Sequence, residues 1–142
     1  MNQATENLFK EIETGSIEEK SGSLLVLGDD IEFAHFKPEV IQEIVQRLIN
    51  ILSGETEWQV IKLLFRNISI AYMQQVDLHE INYDRLINMM NTVESKFING
   101  VLYLLSMTYN KKYIPVISKY LEHPDETVRK EALDALAYLN NL

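Results

Sequence analysis

The chain of 142 residues has no cysteine, three prolines, five glycines and a single tryptophan. Lack of cysteine excludes disulfides, thiolate nucleophiles and Cys-ligated zinc together, and it fits a reducing compartment. Apolar runs are short: stretches such as "LLVL" at 24–27 fall far below the ~20 residues a bilayer span requires. The opening "MNQATENLFKEIETG" carries acids where a secretory signal would have a basic start and an apolar core. A cytoplasmic protein with no membrane segment is expected, folded as one domain able to bury about two-thirds of the surface its unfolded form exposes. Period-two alternation is missing over any useful length, so no strand is assigned.

Negative charge is what the chain has in excess. Its net charge is −8, and residues 1–57 hold twelve acids against four bases while the remainder holds nine of each. Such a field repels phosphate backbones and favours a basic protein partner, because surface potential steers association before contact is made. Solubilising faces of surface helices are the plainer explanation for the same acids.

Helical periodicity runs through most of the chain. In "KPEVIQEIVQRLINILSG", Pro38 suits a first helical position, and Val40, Ile41, Ile44, Val45, Leu48, Ile49 and Leu52 recur at helical spacing until Ser53-Gly54. "TEWQVIKLLFRNISIAYMQQ" has Thr56 as its expected N-cap and apolar residues on almost every face, which suits a central helix. "NYDRLINMMN" and "ESKFINGVLYLLSMTY" predict a shorter and a longer helix joined near Thr92-Val93. Near the front, "TENLFKEIETG" predicts a helix ending near Gly15, and "SIEEKSGSLLVLG" a second one weakened by Gly22.

Short helices alternating with long ones suggest repeats. A shift of 31 residues lays Leu86 on Ile117, Met89 on Tyr120, Met90 on Leu121, Phe97 on Val128, Val101 on Ala132, Leu104 on Ala135 and Leu105 on Leu136. A shift of 68 places Val60, Leu64, Phe65 and Ile68 on Val128, Ala132, Leu133 and Leu136, and a degenerate front copy puts Leu24 and Leu25 on Ala132 and Leu133.

The stretch "YIPVISKYLEHPDETVRKEALDALAYL", Tyr113 to Leu139, resembles a HEAT-type repeat. Pro124 and Asp125 end one helix and cap the next, Val128 fills the gap between the pair, and Ala132 and Ala135 allow close approach. Arg129 follows Asp125 by four residues, where such repeats often place an acid–arginine contact. The repeat is shorter than the ~40 to 47 residues of a HEAT unit. The resemblance implies an all-α fold, a short right-handed α-solenoid of about four HEAT-like helix pairs spanning 1–142.

Enzymatic readings find little support. His35, His79 and His123 are isolated, and "DLHE" at 77–80 supplies one His-Glu pair where HEAT-like deoxyhypusine hydroxylases distribute several, so no metal is expected. HEAT-like DNA glycosylases grip duplex DNA with a basic surface, whereas "LFKEIETGSIEEK" and "GDDIEF" carry the opposite sign, which disfavours nucleic acid. A serine elbow and a phosphate-cradling glycine loop are both absent from the sequence, and no catalytic or cofactor-binding residue is assigned. The tyrosines at 72, 83, 103, 109, 113, 120 and 138 are expected chiefly in helix seams, with "YNKKY" at 109–113 as an exposed exception.

Size, acidity and lack of catalytic groups resemble the helical-repeat immunity proteins of bacterial toxin systems, which shield a toxin domain that is often a basic nuclease. That resemblance implies a non-catalytic, toxin-neutralising protein-binding module; a scaffold or adaptor, or an accessory protein similar to HEAT-like phycobilin lyases, is the alternative. The partner-binding region is expected at Glu18, Glu19, Asp29, Asp30, Glu32, Glu55 and Glu57, with Trp58 as an apolar anchor.

Overall fold

Side-chain caps open three of the helices in the computed structural model, which describes residues 1–141; Leu142, the last residue of the expected domain, lies outside the described residues. Eight α-helices follow one another: α1 Gln3–Thr14, α2 Ile17–Phe33, α3 Pro38–Leu52, α4 Trp58–Tyr72, α5 Asp84–Met89, α6 Ser95–Met107, α7 Ile114–Ser118 and α8 Glu126–Asn140. Single 3-10 turns follow α5 and precede α7, and the described residues contain no strand. By their internal contacts they form two compact units, one holding α1 to α4 and ending at Asn82, the other starting at Tyr83.

In the first unit Asn2 caps α1, its side-chain oxygen accepting from the Thr5 N–H at 2.9 Å. A capping box opens α2: Ser16 Oγ accepts from the Glu19 N–H, and the Glu19 carboxylate accepts from the Ser16 N–H, both at 3.1 Å. That arrangement satisfies two donors the helix start would otherwise orphan. α2 runs five residues beyond Gly28, because Gly28 is a site of close approach and not a stop. A Cβ there would sit 2.6 Å from Asn67 Oδ1 and 2.8 Å from Arg66 Nη1 of α4, whereas one at Gly22 would meet nothing within 4 Å. Asn67, fully buried, donates from Nδ2 to the Leu24 carbonyl at 2.8 Å, which pins α4 against α2.

The expected α3 stripe is buried from Ile41 to Leu52, Val40 at its edge only partly. α4 departs from expectation in two respects. Its N-cap is Glu57 and not Thr56, because the Glu55 carboxylate takes the Thr56 and Glu57 N–H groups at 3.0 and 3.1 Å. Nor is it buried all round: Val60, Ile61, Leu64, Asn67, Ile68 and Ala71 face inward while Lys62, Arg66 and Met73 are exposed. After α4 the chain is held by α3, where Gln46 bonds both backbone groups of Asn82 and Gln42 bonds the Asp77 carbonyl.

In the second unit α8 packs on α6 and α7. Leu86, Phe97, Val101, Leu104 and Leu105 are buried, and so are their repeat equivalents Ile117, Val128, Ala132, Ala135 and Leu136. The pairing fails at Met90, which is buried while Leu121 is exposed. Asp125 caps α8 by accepting from the Thr127 N–H at 2.9 Å. Arg129 does not pair with Asp125 as the repeat pattern predicts; it donates to the His123 and Pro124 carbonyls at 2.7 and 2.9 Å. The cap occupies the carboxylate, and the guanidinium is used to satisfy carbonyls at the turn.

Candidate functional site

The structure separates the expected partner-binding acids by role. Glu19 is committed to its capping box, and the backbone and side-chain hydrogen bonds from Ser16 hold its carboxyl below the usual glutamate range. Glu55 is also structural. Its side chain is only 6% exposed, and it bonds Lys20 Nζ at 3.0 Å. Burial pushes its carboxyl upward, but the bonds from Lys20 and from the Glu57 and Thr56 N–H groups outweigh burial and leave it lowered. Two of the eight expected residues thus serve the fold directly.

Two other acids of this unit are neutralised internally. Arg47 bonds Glu6 at 2.9 Å and Glu13 at 2.8 Å while lying 4.2 Å above the Phe9 ring. Glu18, Asp29, Asp30, Glu32 and Glu57 make no ion pair among the described residues, and all but the half-buried Asp30 are exposed. Asp29, Asp30 and Glu32 gather at the C-terminal end of α2, whereas Glu18 lies near its start. Eleven residues of helix separate Glu18 from Asp29, about 16 Å at 1.5 Å per residue. The Lys20–Glu55 bond brings the turn before α4, with Glu57 and the half-buried Trp58, to the start of α2. The expected residues therefore form two clusters and not one patch.

What joins them along α2 is apolar. At 3.6 residues per turn, Glu18, Gly22, Leu25, Val26, Asp29, Glu32 and Phe33 share the face opposite the buried Leu24, Leu27 and Ile31. Leu25 is 48% exposed, Val26 49% and Phe33 68%. Sequence reasoning assigned none of these three to the site. The signal was present in "LLVL": four consecutive apolar residues sweep around a helix, so a single buried stripe cannot cover them all. Across the contact between α2 and α4 stands Arg66, whose guanidinium comes against Gly28, so a base borders the acidic face within the same unit.

His79 and Asp77 of the expected metal-like fragment lie 3.9 Å apart and are 70% and 79% exposed, and no three His, Asp or Glu groups among the described residues converge on a metal-sized site. His123, in the second unit, accepts the Asp125 N–H through Nδ1 at 3.0 Å and stacks on Tyr120, which makes it a lock on the turn before α8. No helix among the described residues is long and apolar enough to cross a membrane.

No family model matches the chain, and no curated protein matches it either. Among solved structures it is similar to the crystal structure of an engineered protein, with a TM-score of 0.65 at 19% identity over 98% of this chain. The chain spans 63% of the length of that protein. At this identity the likeness is one of fold.

Proposed function

We propose that the chain is a non-catalytic protein-binding module built from HEAT-like helix pairs, and that its partner is a basic protein seated on the outward face of α2. Packing supports the solenoid reading within each unit, where the second helices stack, α2 on α4 and α6 on α8, as repeat architectures require. The observation that carries the binding reading is the exposed row Leu25, Val26 and Phe33 with Glu18, Asp29 and Glu32 along its length. Apolar area of this kind marks interaction surfaces, and the surrounding charge selects the sign of the partner. The first unit carries fourteen acids against six bases, and the second seven of each.

An immunity protein that neutralises a basic, nuclease-type toxin domain is the cellular role proposed for this surface, following the resemblance of the sequence. The test couples capture of the partner from the source cell with kinetics on two variants. Replacing Leu25, Val26 and Phe33 with serine is expected to weaken the complex at least ~100-fold, since buried apolar anchors contribute upward of ~1–2 kcal/mol each. Replacing Asp29 and Asp30 with Asn and Glu32 with Gln is expected to slow association and flatten its salt dependence. A partner whose affinity and association rate ignore both sets of changes overturns the proposal. Rescue of cells from the captured partner's toxicity by co-expression tests the immunity role separately.

A further inference from the structure

The seam between α6 and α8 holds a group of side chains that the proposed α2 surface does not use. Two contacts fix its register: Asn99 Nδ2 donates to Thr127 Oγ1 at 3.2 Å, and the Tyr109 and Tyr138 hydroxyls bond at 2.5 Å. Ten residues on one strand of chain match eleven on the other, so α6 and α8 run parallel. Tyr103, four residues beyond Asn99, is then level with Glu131, four beyond Thr127. Thr127, Glu131, Asp134 and Tyr138 fall on one side of α8 by helical spacing, the side that meets α6 at both contacts.

Three tyrosines border this stripe, Tyr103 at 45% exposure, Tyr109 at 55% and Tyr138 at 49%. The Tyr109 and Tyr138 rings stand 5.4 Å apart and tilted by 40°. Tyr109 holds its ring there from the left-handed backbone region, φ 53°, just after the α6 cap, where glycine is usual. Glu131 is half-buried, and burial, then the neighbouring Asp134, pushes its carboxyl upward. Lys130 lies next to it in sequence, yet the two form no ion pair among the described residues. At the head of the seam Asn99 Oδ1 is buried with no hydrogen-bond partner among the described residues.

We infer that this seam binds the guanidinium of an arginine side chain on a protein partner. Aromatic faces attract a cation within ~6 Å of the ring centroid, and a planar guanidinium stacks on a ring while its fork of donors bonds a carboxylate. Glu131 and Asp134 supply the counter-charge, and Tyr103, Tyr109 and Tyr138 the faces. The seam lies wholly within the second unit, so the inference stands or falls independently of the α2 surface.

The test titrates the full chain with Nα-acetyl-arginine amide and follows the tyrosine ring signals by NMR, with the citrulline and lysine analogues as parallel arms. Saturating shifts at Tyr103, Tyr109 and Tyr138 are expected for arginine, with weaker ones for lysine and none for citrulline, which keeps the shape and lacks the charge. Glu131→Gln is expected to weaken arginine binding at least 5-fold while leaving unfolding at pH 7 unchanged or shifted to higher denaturant, because it removes a half-buried charge. Tyr138→Leu, at an exposed position, is expected to lower affinity by a similar factor, and Tyr138→Phe to retain most of it. Equal response to citrulline, shifts confined to residues outside the seam, or an affinity indifferent to Glu131→Gln would each overturn the inference.

Discussion

Substituting alanine at two glycines of α2 should move stability in opposite directions. Gly22 has open space where a Cβ would stand, so Gly22→Ala gains helix propensity of up to ~1 kcal/mol with no steric cost. Gly28→Ala gains the same propensity but drives a methyl to 2.6 Å from Asn67 Oδ1 and 2.8 Å from Arg66 Nη1. Arg66 is exposed and can swing aside; Asn67 is fully buried and bonded to the Leu24 carbonyl. Overpacking costs about 1–3 kcal/mol, and rotating Asn67 away gives up a bond of about 1 kcal/mol net. The net expectation is a loss of about 1–3 kcal/mol for Gly28→Ala, roughly 0.5–1.5 M in urea midpoint at ordinary slopes. Trp58, the single tryptophan, opens α4 and reports unfolding of this unit by fluorescence. In an Asn67→Ala background most of the Gly28→Ala penalty should vanish, a coupling above about 1 kcal/mol between touching residues. Equal shifts of the same sign at both glycines, or strict additivity with Asn67→Ala, would refute the close-approach argument.

Further outcomes follow from the first unit's charges and from the caps. Glu55 has a folded-state carboxyl lowered by Lys20 and two backbone N–H groups against the pull of burial, so its contribution is complete above the unfolded value near ~4.3 and disappears as pH falls through the lower folded value. The stability advantage of the parent over Glu55→Gln, measured by urea titration at several pH values, should be largest at pH 7 and shrink below about pH 4. Arg47→Met keeps the stem over Phe9 but removes both ion pairs; a loss of about 1 kcal/mol is expected at low salt, reduced at high salt because the partners are partly exposed. Asp125→Ala should cost about 1 kcal/mol through loss of the α8 cap, seen as a lower midpoint when tyrosine signals of the second unit are followed.

The helices were legible because each carries local information. Pro38, the Ser53-Gly54 stop and the apolar spacing of α3 act over one or two turns, and the repeat shifts identified most of the inward positions of the second unit. The binding surface was legible only as a sign of charge. Glu19 and Glu55 look like their neighbours in composition, yet one completes a capping box and the other bridges Lys20, 35 residues away. Neither use can be seen without the turn geometry. Tyrosines divide for the same reason: Tyr83 and Tyr113 meet edge to face in the core at 5.9 Å, which removes Tyr113 from the expected exposed "YNKKY" segment, while Tyr109 of the same segment stays outside.

By itself the sequence determined that this chain is helical, where most of its helices begin and end, and that its negative charge is concentrated toward the front. These are properties of short windows, set by capping, backbone preference and counting. Only the tertiary structure decided which of four adjacent apolar residues in α2 face water, which acids are consumed by partners distant in sequence, and which tyrosines of α6 and α8 share one seam. Those outcomes depend on where neighbouring helices press, and a helix exposes whatever its neighbours leave uncovered.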